Sequence, residues 1–123
     1  MVKLVYCVRR RRDVGPAEFR RYWREEHGPL VTGYAKTIRA RRYIQSHTME
    51  TAVNDRFRES RGSAEPYDGI TEVWWDSMAD LEAGFSSPEG QEIDRILKED
   101  EARFVDLARC RVFMTEEHTI FDF

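Results

Sequence analysis

Imidazole and carboxylate side chains are the residues of this 123-residue chain best suited to moving protons, and three histidines, His27, His47 and His118, carry all of its imidazole. An imidazole ionises near pH 6.5, so it can take or give a proton at neutrality. His27 falls in the series Phe19, Tyr22, Trp23, His27, Leu30, Val31, Tyr34 and Ile38, whose three- and four-residue spacings form one helical stripe. That spacing aims His27 inward, where it serves either as an acid/base or as a buried histidine tied to a strand carbonyl or carboxylate. Asp68 and Glu72 stand four residues apart on a predicted strand, so both project to one side, beside Ile70 and Trp74. A carboxylate there either orients His27 or acts as a base, unless it is solvated or paired with one of the many arginines.

Metal chemistry is not indicated, because the histidines lack His-Glu-x-x-His, paired-cysteine or acidic-loop spacing. Arg9 to Arg12 are four consecutive arginines that leave a strand and read as a solvated turn. Neither a Gly-rich nucleotide loop nor a Gly-x-Ser-x-Gly elbow is present.

These groups need elements to hold them. Val2 to Arg9 alternates, with Leu4, Tyr6 and Val8 on one side and Val5 and Cys7 on the other, and predicts a strand apolar on both faces. Asp13-Val14-Gly15-Pro16 leads into the helix bearing His27, and Gly28-Pro29 predicts a kink directly after it. Arg41 to His47 predicts a second strand with Tyr43, Gln45 and His47 on one face. Residues 48–66 lack a sustained period and read as a long loop, a possible lid, with one short helical turn around Ala52 to Arg58. Tyr67 to Trp75 is the third strand. Ser77 caps a helix carrying Met78, Leu81 and Phe85, Ser87-Pro88 opens another with Ile93, Ile96 and Leu97, and Arg109 to Ile120 is a final strand.

The order strand, helix, strand, strand, helices, strand is that of a ferredoxin-like split βαβ fold: α+β, a four-stranded antiparallel sheet with helices on one face. Neither face of the strands is polar, so the uncovered face predicts a homodimer of two sheets packed together. One domain spanning 1–123 fits the length. With 20 Lys and Arg against 23 Asp and Glu the net charge is −3, which offers no basic field for nucleic acid or anionic lipid. No apolar run approaches the ~20 residues of a membrane span, and Met1 to Val8 does not read as a signal peptide. A cytoplasmic protein is expected, with Cys7 and Cys110 as thiols near one another.

Three stretches carry a resemblance: Phe19 to Leu30 (FRRYWREEHGPL), Tyr67 to Trp75 (YDGITEVWW), and Asp100-Glu101-x-x-Phe104 ahead of a strand with Thr115-Glu116-Glu117-His118. Together they resemble the EthD family over nearly the whole chain outside 48–66. The resemblance implies a dimeric α+β barrel without a cofactor, acting on small organic molecules. Tyr43 aligns with a tyrosine lining the site of methylmuconolactone-isomerase-like members, where a phenol can hydrogen-bond a developing enolate. Val73 stands where such members carry a cysteine, so cysteine-assisted isomerisation is not expected.

The combined expectation is a cofactor-independent lyase, dehydratase or isomerase for a small aromatic, polyketide-like or lactone substrate. His27 is the acid/base, Tyr43 the oxyanion donor and Asp68 the orienting group, with Tyr22, Trp23, Glu72, Trp74 and His47 as substrate-binding candidates. Cofactor-free oxygenation of an electron-rich phenol or anthrone, and non-catalytic binding of a hydrophobic metabolite, are the rival expectations.

Overall fold

The computed structural model describes residues 1–123. Strands β1 (Val2–Val8), β2 (Arg42–His47), β3 (Gly69–Trp75) and β4 (Arg111–Thr115) form one antiparallel sheet in the order β2-β3-β1-β4, the ferredoxin-like arrangement. Register sets the side-chain rows, because directly opposed antiparallel residues share a face. One face carries the rows Tyr43, Val73, Leu4, Met114 and Gln45, Thr71, Tyr6, Val112, with His47, Gly69 and Val8 beyond them. The other carries Arg42, Trp74, Lys3, Thr115 and then Ile44, Glu72, Val5, Phe113.

Helices cover the first face only. They are α1 (Pro16–Tyr22), α2 (Gly28–Tyr34), α4 (Met78–Ser86) and α5 (Pro88–Glu101), which give a core of Val31, Ile38, Val73, Trp75, Ile93 and Leu97. A second cluster, Val8, Phe19, Trp23, Phe104 and Val105, closes the other end of the same layer.

Between α1 and α2 the backbone stays helical through Gly28-Pro29. Trp23–His27 forms a π-helical turn in which the Gly28 N–H donates to the Trp23 carbonyl five residues back, and Pro29 enters α2 within its first turn, where a missing N–H costs nothing. Both termini of that wider turn, Trp23 and His27, are buried.

The 48–66 segment differs from the expected loop, since it contains the ten-residue helix α3 (Ala52–Arg61). Thr51 caps it through a bond from the Val53 N–H, and Gly62 ends it in the left-handed region at φ 59°. None of its residues is buried, which explains why the sequence shows no apolar stripe there. The last strand also ends at Thr115, five residues short of Ile120. Cys7 and Cys110 are free thiols on the neighbouring strand β1 and just ahead of β4. No helix is long and apolar enough to cross a membrane.

Candidate active site

The π-helical turn places His27 at the boundary between helix layer and sheet, 6% exposed. Its Nδ1 lies 2.7 Å from Asp100 Oδ2, and Asp100 Oδ1 accepts a 2.6 Å hydrogen bond from the Tyr22 hydroxyl. Asp100 therefore stands on the last turn of α5 as a shared acceptor for two residues of the first helical segment. Facing a carboxylate, the imidazole carries its proton on Nδ1 and keeps the Nε2 lone pair free. Nε2 has no protein partner, yet it is not sealed off as an unsatisfied buried atom. Burial lowers the His27 pKa below its ordinary 6.5, and the attraction of Asp100 only partly opposes this, so the ring is neutral at pH 7.

His27 lines a cavity of about 410 Å³ between sheet and helices. Leu4, Val8, Val31, Val73, Leu97 and Phe104 make most of the wall apolar, while Tyr6, Tyr43, Thr71 and Glu101 add polar groups. Apolar walls with a few convergent polar groups characterise small-molecule sites.

Tyr43 belongs to a chain of hydrogen bonds. Gln45 Nε2 donates 2.9 Å to the Tyr43 oxygen and 2.7 Å to the Trp23 carbonyl, and Gln45 Oε1 lies 2.8 Å from His47 Nε2. Because the amide occupies an acceptor position of the phenol, the Tyr43 O–H remains free to donate. Burial pushes its pKa above the ordinary value, which keeps it protonated. His47 stacks on Trp23 with ring centres 4.3 Å apart and opens on a polar surface depression beside Arg20, Arg21 and Arg24. Burial, then Arg24 and Arg20, lower its pKa.

Glu101 follows Asp100 on α5, and the helical spacing of Asp94, Leu97, Lys98 and Glu101 turns this face to the cavity. Burial raises its carboxyl to about 7, with further contributions from Asp94 and Asp100. The unfolded chain releases this proton near 4.5 and the folded chain near 7, so stability must fall as pH rises through that interval. Urea denaturation should show Glu101→Gln gaining on the wild type between pH 4.5 and 8, by on the order of 2–3 kcal/mol from about 1.4 kcal/mol per pH unit. Equal gains at both pH values would contradict the assignment.

The structure brings His27, Trp23 and Tyr43 to the cavity wall, but not Tyr22, which reaches His27 only through Asp100, nor His47, which stands one amide away. It does not bring Asp68, Glu72 or Trp74 to the cavity. Asp68 accepts 2.9 Å from the Arg10 backbone N–H, with the Arg10 guanidinium 3.6 Å away, and so pins the chain leaving β1. Glu72 pairs with Lys3 Nζ at 2.6 Å on the opposite sheet face. On that face Trp74 is buried, donating to Glu117 Oε1 and flanked by Lys3 and Arg42. The orienting carboxylate expected of Asp68 is Asp100, which belongs to the Asp100-Glu101-x-x-Phe104 stretch but carries no local mark of a role. No three His, Cys, Asp or Glu side chains converge as metal ligands would.

Similarity places this fold among known proteins. The chain superimposes on an ethyl tert-butyl ether D (EthD) family protein of Bacillus halodurans with a TM-score of 0.65, at 17% identity over 96% of this chain and 99% of that one. A single-residue mutant of SnoaB, a cofactor-independent oxygenase from Streptomyces nogalater, matches with a TM-score of 0.57 at 11% identity over 98% and 97% of the chains. HapK from Hahella chejuensis gives 0.57 at 10% identity over 100% and 97%. At such identities the likeness establishes the fold. No curated protein matches the sequence. Residues 11–108, well over half the chain, match the EthD domain, and the protein belongs to the EthD family.

Proposed function

We propose that the chain is a cofactor-independent enzyme that moves a proton on a small aromatic, polyketide-like or lactone substrate held in the sheet–helix cavity. One observation carries the reading: an imidazole whose Nδ1 is held by a carboxylate lines a largely apolar cavity. His27 Nε2 takes a proton from a carbon or phenol of the substrate, and Tyr43 donates a hydrogen bond to the oxygen on which charge develops. Returning the proton to another atom isomerises the substrate; expelling a leaving group completes an elimination. Tyr22 holds Asp100, and Trp23 shapes the wall.

Oxygenation is the second reading, favoured by the likeness to SnoaB, itself described as a cofactor-independent oxygenase. Proton removal from an electron-rich phenol is its first step too. Incubating the protein with lactones, hydroxy-ketones and anthrones, with and without oxygen, tests both. Product without oxygen uptake supports proton transfer, and stoichiometric uptake transfers the assignment to oxygenation. Binding without turnover, unaltered by His27→Gln, leaves a binding protein.

A homodimer completes the proposal. The uncovered sheet face holds Val5 and Ile44, with Ile70 at 38% and Phe113 at 49% exposure, an apolar surface that a second copy would bury. Sedimentation equilibrium at micromolar concentration should give twice the 14.6 kDa chain mass, and a single-chain mass throughout would refute the dimer.

A further inference from the structure

The cavity holds a second group able to carry a proton, one that the base chemistry of His27 leaves unused. Glu101 sits at the end of α5 with its carboxyl in the cavity wall, beside the Tyr6 phenol of β1 and one residue from the aspartate that orients His27. A carboxylate in so apolar a wall would need a cation, and the one ammonium that attracts it, Lys98, is shared with Asp94 at 3.9 Å and is the weakest of the influences on Glu101. The other groups facing it are Tyr6 and Cys110 from the sheet side, Tyr43 from β2, His27 from the first helical segment, and Asp94 and Asp100 on its own helix. None of these supplies a compensating positive charge at neutral pH; a hydrogen bond from the Tyr6 phenol favours the carboxylate, but burial outweighs it and the two aspartates oppose ionisation.

We propose that Glu101 is a second catalytic residue, the cavity's resident acid, which donates a hydrogen bond and then its proton to a carbonyl oxygen of an uncharged substrate. This rests on the reading of His27 as the base. As His27 Nε2 takes a proton from the carbon beside the carbonyl, the C–H electron pair forms the C=C bond. The carbonyl π pair moves to oxygen, and that oxygen receives the Glu101 proton. Ketone becomes enol while the protein goes from imidazole and acid to imidazolium and carboxylate, so protons and electrons balance, and the reverse transfer at another carbon restores both groups. Pairing a neutral base with a neutral acid selects ketones and lactones over carboxylates, because an anion would meet Glu101 with two aspartates behind it.

The uncharged ketone 1-tetralone is a suitable probe, since it accepts hydrogen bonds, donates none and does not ionise in the working range. Its affinity for the wild type, followed by calorimetry, should be constant below pH 6.5 and fall up to ~10-fold by pH 8 as the donor is lost. Glu101→Gln keeps an N–H donor and should bind it with no such pH dependence; His27→Gln should retain the wild-type profile. Infrared difference spectra should show a carboxylic-acid band at pH 6 that disappears in Glu101→Gln. A pH-independent wild-type affinity, absent tetralone binding at pH 6, or a missing acid band overturns the role of Glu101. A profile that vanishes in His27→Gln but survives in Glu101→Gln also overturns it, while leaving His27 as the base. Loss of the base itself is read separately, from turnover of His27→Gln.

Discussion

Replacing His27 by Gln should lower turnover about 10²–10⁴-fold while the protein stays folded. Glutamine approaches histidine in volume and can still hydrogen-bond Asp100, so the contacts with Phe104 and the π-helical turn have a partner to keep. What it lacks is a lone pair of suitable basicity directed at the cavity. Asp100→Asn separates positioning from chemistry, because an amide no longer demands the proton on Nδ1 and allows the other tautomer, in which Nε2 carries a proton and cannot act as the base. Turnover should fall with Asp100→Asn as well. The pH profile supplies the second readout: the wild-type acid limb should lie below pH 6.5, since burial lowers His27. Removing the attraction of Asp100 should move that limb lower still, because Asp100 is the influence that raises the histidine. Circular dichroism and a cooperative thermal transition must be retained for the result to count as catalytic. Loss of folding in His27→Gln, with normal turnover by any folded fraction, would return His27 to a packing role.

The second large effect concerns the platform beneath the site. Gly84→Ala should cost about 3 kcal/mol of stability. A Cβ at Gly84 would stand 2.2 Å from the Ile38 carbonyl oxygen and 2.7 Å from its carbon, and these are backbone atoms that cannot rotate away. The same carbonyl accepts a 2.8 Å bond from the Trp75 indole N–H, and Ile38 and Trp75 are each only 2% exposed. Relief requires α4 and the turn holding Ile38 to move apart, opening the core or displacing the carbonyl that Trp75 bonds. The denaturant midpoint should drop with an unchanged m-value. Gly33→Ala is the control: nothing lies within 4 Å of the added carbon, and its helical setting favours alanine by ~0.5–1 kcal/mol. Equal effects at the two glycines would remove the steric argument.

Periodicity and capping suffice for most of the fold. The succession of elements along the chain follows from the alternation at Val2–Val8, Arg42–His47 and Gly69–Trp75 and from the helical stripe between them. The inward direction of His27 follows from the 19-22-23-27 spacing, and the shared face of Tyr43, Gln45 and His47 from period two. These are local properties, set by backbone geometry within a few residues. Period two cannot say which face of a strand the helices cover when both faces are apolar. In β3 the alternatives are Ile70, Glu72 and Trp74 or Thr71, Val73 and Trp75, and tryptophan appears in both sets. Only the packing of Val73 and Trp75 against Val31, Ile38 and Ile93 decides for the second set, which leaves Glu72 and Trp74 on the far side with Lys3. The pairing of His27 with Asp100 is decided at still longer range. Asp100 is 73 residues from His27, and what makes it the orienting carboxylate is the seating of the end of α5 against the π-helical turn. Glu101 differs from a solvated glutamate chiefly through burial, and burial, unlike spacing, is a property of the assembled layers.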